Sequence, residues 1–194
     1  MKPLSGVCVT AVAALLSTAQ GQGPAQDPFQ GPRGAYKARL SGYSEAPPVF
    51  TTASGEATAA LNTAARTLEV TLQYAGLDAV QFAHLHFGQQ NVNGNVIAFL
   101  CGGGGKPSCP QKEGTLTVTI VSSDVQAIPV QGVTAGNWDA LVQALENGAI
   151  YVNVHTARFV MGEIRGQLGR GFGPPAGRGR DKDKDDNPGR GGRP

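Results

Sequence analysis

The sequence predicts an all-β fold, an antiparallel sandwich or barrel with one short covering helix, and three observations carry that prediction. Between residues 35 and 168, short runs alternate apolar and polar residues with period two, the signature of strands that bury one face. Gly, Pro, Asn and Asp punctuate the runs at short intervals, as in antiparallel sandwiches and barrels. A single longer segment repeats at helical spacing, and no repeat of fixed period suggests a propeller or solenoid.

The 194 residues hold one domain of ordinary size plus tails, and two large domains do not fit. At the N-terminus, Met1-Lys2 precedes an apolar run that closes on Leu15-Leu16-Ser17-Thr18-Ala19, with small residues where a signal peptidase requires them. Residues 1–19 read as a secretory signal peptide, too short and too weakly apolar for a membrane span, and Cys8 leaves with it. Residues 20–34, QGQGPAQDPFQGPRG, form a Gln/Gly/Pro linker expected to be disordered. The same expectation holds for residues 169–194, a Gly/Arg/Asp-rich tail with one aromatic, Phe172. The central span 35–168 carries seven basic against nine acidic side chains, so a core specific for nucleic acid is excluded. The exported protein is expected in the periplasm or outside the cell, as a monomer with no membrane span, facing an extracellular ligand that the residues do not name.

Within the span the elements follow in order. Tyr36-Ala38-Leu40, Ala57-Ala59-Leu61 and Leu68-Val70-Leu72 each alternate, and VQFAHLHF, NVIAFL, GTLTVTIV, AIYVNVHT and GEIRGQL complete eight strands. Between the first two, Glu45-Ala46-Pro47-Pro48 reads as an extended turn, because proline fixes φ and cannot donate to a ladder. A short turn is expected at Ser122-Ser123-Asp124. Trp138, Leu141, Val142 and Leu145 stand at i, i+3, i+4 and i+7, with Asn137 as N-cap and Gly148 past the end, which predicts the one helix.

Two cysteines remain after export, Cys101 and Cys109 in CGGGGKPSC, and an oxidising compartment favours a disulfide between them. A metal-thiolate pair is the rival reading, although no histidine is near. The glycines do not make a phosphate loop, since neither a Gly-Lys-Ser/Thr step nor a helix follows.

The chemistry concentrates in three histidines. Side chains alternate along FAHLHFG, so His84 and His86 share one face about 7 Å apart at Cβ, with Ala83, Leu85 and Phe87 on the other. On YVNVHT, His155 shares a face with Tyr151 and Asn153. If both strands face one spot, three neutral imidazoles converge, a donor set suited to copper, with zinc second. Glu45, Glu163, Tyr151 or water are the candidates for a fourth position. Tyr151, Asn153, Glu163 and Arg165 are the candidate supporting residues, with Glu163 and Arg165 alternating onto one face where they can pair with each other or with the His155 strand. The alternative is that each histidine is a half-buried, hydrogen-bonded group that fixes a loop.

Three blocks of the sequence resemble the CHRD domain, the module repeated in chordin and found singly in secreted bacterial proteins. The first places Leu40-Ser41-Gly42 before Glu45, Pro47 and Pro48. The second is Ala83, His84 and His86 with Asn93-Gly94, and the third joins Tyr151, Asn153, His155 and Thr156 to Gly162-Glu163-Ile164-Arg165-Gly166. Arg158-Phe159-Val160-Met161 departs from the pattern, standing where the family often has a proline. The resemblance implies an immunoglobulin-like Greek-key sandwich and no particular activity. The paired histidines with a late histidine are also similar to copper,zinc superoxide dismutases. That likeness implies copper ligands at His84, His86 and His155 and makes Arg165 a candidate anion guide, but a bridging histidine and a zinc cluster are missing.

Three readings follow. The leading one is a secreted, non-enzymatic CHRD-domain protein that binds a metal, copper favoured, through the histidine trio, with no residue in a catalytic role. The second is a copper-dependent dismutase-like enzyme. The third is a matrix, adhesion or protein-binding module in which the histidines are structural.

Overall fold

The computed structural model describes residues 34–171; the expected signal peptide, the linker as far as residue 33 and the tail beyond residue 171 lie outside the described residues. Among the described residues, nine strands form one antiparallel sheet: β1 (Ala35–Ser41), β2 (Ser54–Asn62), β3 (Thr67–Ala75), β4 (Val80–Phe87), β5 (Asn95–Cys101), β6 (Gly114–Ile120), β7 (Ile150–Thr156), β8 (Ile164–Gln167) and β9 (Gly169–Arg170). The spatial order is β5-β4-β7-β8-β1-β2-β3-β6, with β9 beside β1. Each of the eight runs read from the sequence is a strand. The ninth falls just past Leu168, pairing Gly169 with Lys37 and Arg170 with Tyr36.

Strands β1, β2 and β3 make a meander, while the neighbours β4–β7, β8–β1 and β3–β6 are crossovers. The sheet curls into a nearly closed barrel with its seam between the edge strands β5 and β6. Lys106 spans from the β5–β6 loop to the carbonyl of Thr119 on β6 at 3.3 Å and to Asp124 at 2.9 Å. Covering an edge in this way removes an open template for strand addition.

Inward positions build the core as the alternation requires. Tyr36, Ala38 and Leu40 of β1 and Leu68, Val70, Leu72 and Tyr74 of β3 are buried. β5 departs from alternation. Its pairing with β4 shifts between Ala83 and His84 and again between Leu85 and His86. The residues skipped on β5, Ile97 and Leu100, are fully buried, so the irregularities let β5 place extra apolar side chains in the core.

The helix α1 (Trp138–Glu146) covers the core with Trp138, Leu141, Ala144 and Leu145. The Asn137 side chain accepts from the backbone N–H of Ala140 at 3.1 Å, and Gly148 closes the end at φ +66°, where a side chain would be strained. A 3-10 turn occupies Ser122–Asp124. Cys101 and Cys109 are joined as a disulfide, both buried, which settles the rival thiolate reading.

Candidate metal centre

β4 pairs with β7 through His84↔Asn153 and His86↔Tyr151, and β7 pairs with β8 through Asn153↔Arg165. Ala83 and Leu85 face the core, so the histidines stand on the outer face of the sheet. They are nevertheless buried, His84 at 7 % and His86 at 8 % exposure, because aromatic side chains wall the outer face around them. Phe82 stacks on His84 at 5.7 Å, Phe99 meets it edge-on at 4.6 Å, and Tyr151 stacks on His86 at 4.7 Å. His155 comes from the end of β7 and is half-buried. One ligand atom from each of the three imidazoles lies within 4.8 Å of the others.

The hydrogen bonds assign the protons. A carbonyl only accepts, so His86 Nδ1 donates to Gly94 O at 3.0 Å and His155 Nδ1 donates to Val160 O at 2.9 Å. In the neutral rings both Nε2 atoms therefore carry lone pairs. His84 Nδ1 lies 3.1 Å from His155 Nε2 and must donate to it, which leaves His84 Nε2 bare as well. Both His84 Nε2 and His86 Nε2 are buried without a hydrogen-bond partner. Two buried acceptors left unpaired cost stability, and a cation is the partner their chemistry accepts.

The rings are neutral for a physical reason. Burial, reinforced by the neighbouring His155 and His86, pushes His84 down to about 3. Burial pushes His86 down to about 4 despite the opposing hydrogen bond to Gly94, with His155 and Arg165 adding to the shift. His155 is lowered by burial, partly opposed by its bond to Val160. Protons thus compete poorly with a metal for these nitrogens. For His84 Nδ1 and His155 Nε2, 3.1 Å apart, to ligate one ion, the His84 proton would have to move to Nε2; metal–nitrogen bonds of about 2.0–2.1 Å would then subtend roughly 100° at that spacing.

The other residues singled out from the sequence fall into place differently. Tyr151 does not offer its hydroxyl to the centre, because that oxygen accepts from the N–H of Gly94 at 3.2 Å while the ring lies against His86. Asn153 donates to Glu45 at 2.8 Å, committing the Glu45 carboxylate there. Burial raises Glu45 to about 7, against the lowering influence of Arg165 and the Asn153 bond. Glu163 accepts from the hydroxyls of Thr51 and Thr156, each at 2.8 Å.

Of the two alternatives for Glu163 and Arg165, the structure shows no pair between them; Glu163 instead bonds the His155 strand through Thr156, and both side chains are buried. Arg165 donates to the carbonyls of Gln89 and Val92 at 2.9 Å and approaches Asn93 Oδ1 at 3.4 Å, with its guanidinium 3.4 Å from the centre of the Tyr151 ring. At 2 % exposure it is no anion guide. It clamps the β4–β5 loop instead. Sequence reasoning assigned no role in the site to Phe99, Gly94 or Val160, although Gly94 and Val160 lie in motif blocks it named. Phe82 was within its reach, lying two residues before His84 on the same face, but Phe99 requires the β4–β5 register.

These features define a disulfide-bonded, all-β domain that carries a convergent histidine cluster on the outside of its barrel. The CHRD domain model matches residues 36–168, and the chain belongs to that family. No curated protein and no solved structure matches the chain. Among the described residues, no helix is long and apolar enough to cross a membrane.

Proposed function

We propose that the protein is a secreted CHRD-domain metal-binding protein that holds a metal ion, copper in preference to zinc, through His84, His86 and His155. The observation that carries the proposal is the convergence of three neutral imidazoles, in which the Nε2 atoms of His84 and His86 are buried with no hydrogen-bond partner and His155 Nε2 meets only the N–H of His84. Imidazole donors suit copper and zinc, and affinity for divalent ions rises to copper before falling to zinc. Glu45, Glu163 and Tyr151 are engaged elsewhere, so the fourth position falls to water or an exogenous ligand. Export is supported by the signal-like residues 1–19 and by the Cys101–Cys109 disulfide.

A dismutase-like activity would use the same three ligands. With Arg165 buried under the β4–β5 loop, that reading lacks its steering charge, and a binding or protective role is preferred. The test is elemental analysis of the exported protein beside a His84→Ala/His86→Ala/His155→Ala variant. Near-stoichiometric copper or zinc in the wild type, lost in a variant with unchanged circular dichroism, is the expected result. A wild type that stays metal-free through copper and zinc titration overturns the proposal and leaves the histidines structural.

A further inference from the structure

Two of the three imidazoles are oriented by backbone acceptors, His86 by Gly94 and His155 by Val160. His84 has none. Its one hydrogen bond is to His155, and its other ring neighbours are Phe82, Phe99 and, edge-on at 5.5 Å, His86. Phe99 stands directly across the β4–β5 ladder from His84 and meets it edge-on, the rings inclined at 88°. An edge-to-face aromatic contact at this distance is directional, so the Phe99 ring sets the plane in which the imidazole rests.

Phe99 is in turn held by the glycine loop. A Cβ on Gly103 would lie 2.6 Å from Phe99 Cε1, and one on Gly104 would lie 2.6 Å from Phe99 Cδ2, so the bare backbone rests on the ring where no side chain fits. Gly102, at φ +81°, approaches the Gln81 carbonyl more closely than any Cβ allows. The loop is kept in place by the Cys101–Cys109 disulfide, by Gly102 N–H donating to Pro107 O at 2.8 Å and by Lys106 N–H donating to Gly103 O at 3.0 Å. The run CGGGGKPSC thus has a purpose beyond a cross-link.

We infer that the disulfide-closed glycine loop, acting through Phe99, is the positioning element of His84 in the metal centre. The inference rests on the metal-binding reading. An edge-to-face aromatic contact of this kind sets the scale at about two- to tenfold in metal affinity. Phe99→Ala removes the contact, and Gly103→Ala drives the ring off its seat. Phe99→Tyr retains it. Gly105→Asn is the control within the loop, because a Cβ at Gly105 meets nothing within 4 Å and asparagine tolerates its φ of +75°.

The experiment measures copper affinity by chelator competition, the electron paramagnetic resonance spectrum of the copper(II) form, and the histidine ring nitrogen shifts of the metal-free protein by NMR. Phe99→Ala and Gly103→Ala are expected to lose about two- to tenfold in affinity, to alter the copper spectrum and to move the His84 ring signals most, while Phe99→Tyr and Gly105→Asn match the wild type. Folded Phe99→Ala and Gly103→Ala proteins with wild-type affinity, spectrum and His84 signals overturn the inference. Should the wild type take up no metal, the functional reading fails by itself, and the ring shifts decide whether the loop positions His84.

Discussion

Gly162 has no room for a side chain. A Cβ there would lie 2.1 Å from Asn153 Nδ2 and 2.6 Å from Glu45 Oε1, at a φ of +125° that side chains rarely adopt. The two atoms it would strike are donor and acceptor of one buried hydrogen bond, so relief means parting Asn153 from Glu45. Gly162→Ala is therefore expected to destabilise by about 2–4 kcal/mol, combining backbone strain with two buried polar groups left unpaired. Urea unfolding monitored by circular dichroism checks it, and a loss under 1 kcal/mol would contradict the reading of this site. The sequence showed Gly162, Asn153 and Glu45 as separate motif positions, and nothing in their spacing joins residues more than a hundred apart in the chain. His84 and His86 were legible because strand alternation is local. The partners of Arg165 were not legible, because they sit on a loop whose path depends on the tertiary fold.

At the scale of elements, two loops frame the histidine centre, and each is fastened by a different device. The β4–β5 loop is held by Arg165, whose guanidinium ties the carbonyls of Gln89 and Val92 to β8 and covers Tyr151. Lysine cannot reproduce a planar fork of donors, so Arg165→Lys is expected to cost about 2–3 kcal/mol and to raise hydrogen exchange across residues 88–94. An unchanged exchange pattern would show that the loop holds itself. The loop after β5 is fastened by Cys101–Cys109, a bridge across eight positions, and its reduction is expected to lower stability by about 2–3 kcal/mol in thermal or urea unfolding under reducing conditions. All eight anticipated strands and the helix were legible from periodicity and caps, since both are set by residues near one another. The pairing irregularities in β5 were not, because NVIAFL is apolar at most positions and only the partner strand reveals which residues are skipped.

At the scale of the whole molecule, the buried ionisable groups set opposing pH dependences for the metal-free fold. His84 and His86 are pushed from 6.5 to about 3 and about 4, so on acidification the unfolded chain takes up protons first. Stability contributed by keeping these rings neutral is present above pH 6.5 and is lost as pH falls toward 4 and 3. Glu45 runs the other way. Raised from 4.5 to about 7, it is protonated in the fold while ionised in the unfolded chain, so stability falls as pH rises through that window and the cost persists above it. Several histidine steps outweigh one carboxylate step, which places the stability maximum of the apo protein near neutrality. Glu45→Gln keeps an acceptor for Asn153 and removes the carboxylate, so it is expected to match the wild type below pH 4.5 and to exceed it by up to about 3 kcal/mol above pH 7. The triple histidine-to-alanine variant is expected to lose most of the acid-side slope. Urea midpoints measured from pH 4 to 8 on metal-free wild type and both variants decide the matter: parallel curves would mean that burial on the outer face of the barrel does not keep these rings neutral. The same neutrality that makes the fold acid-sensitive keeps the imidazole nitrogens unprotonated, the state that the proposed metal site requires.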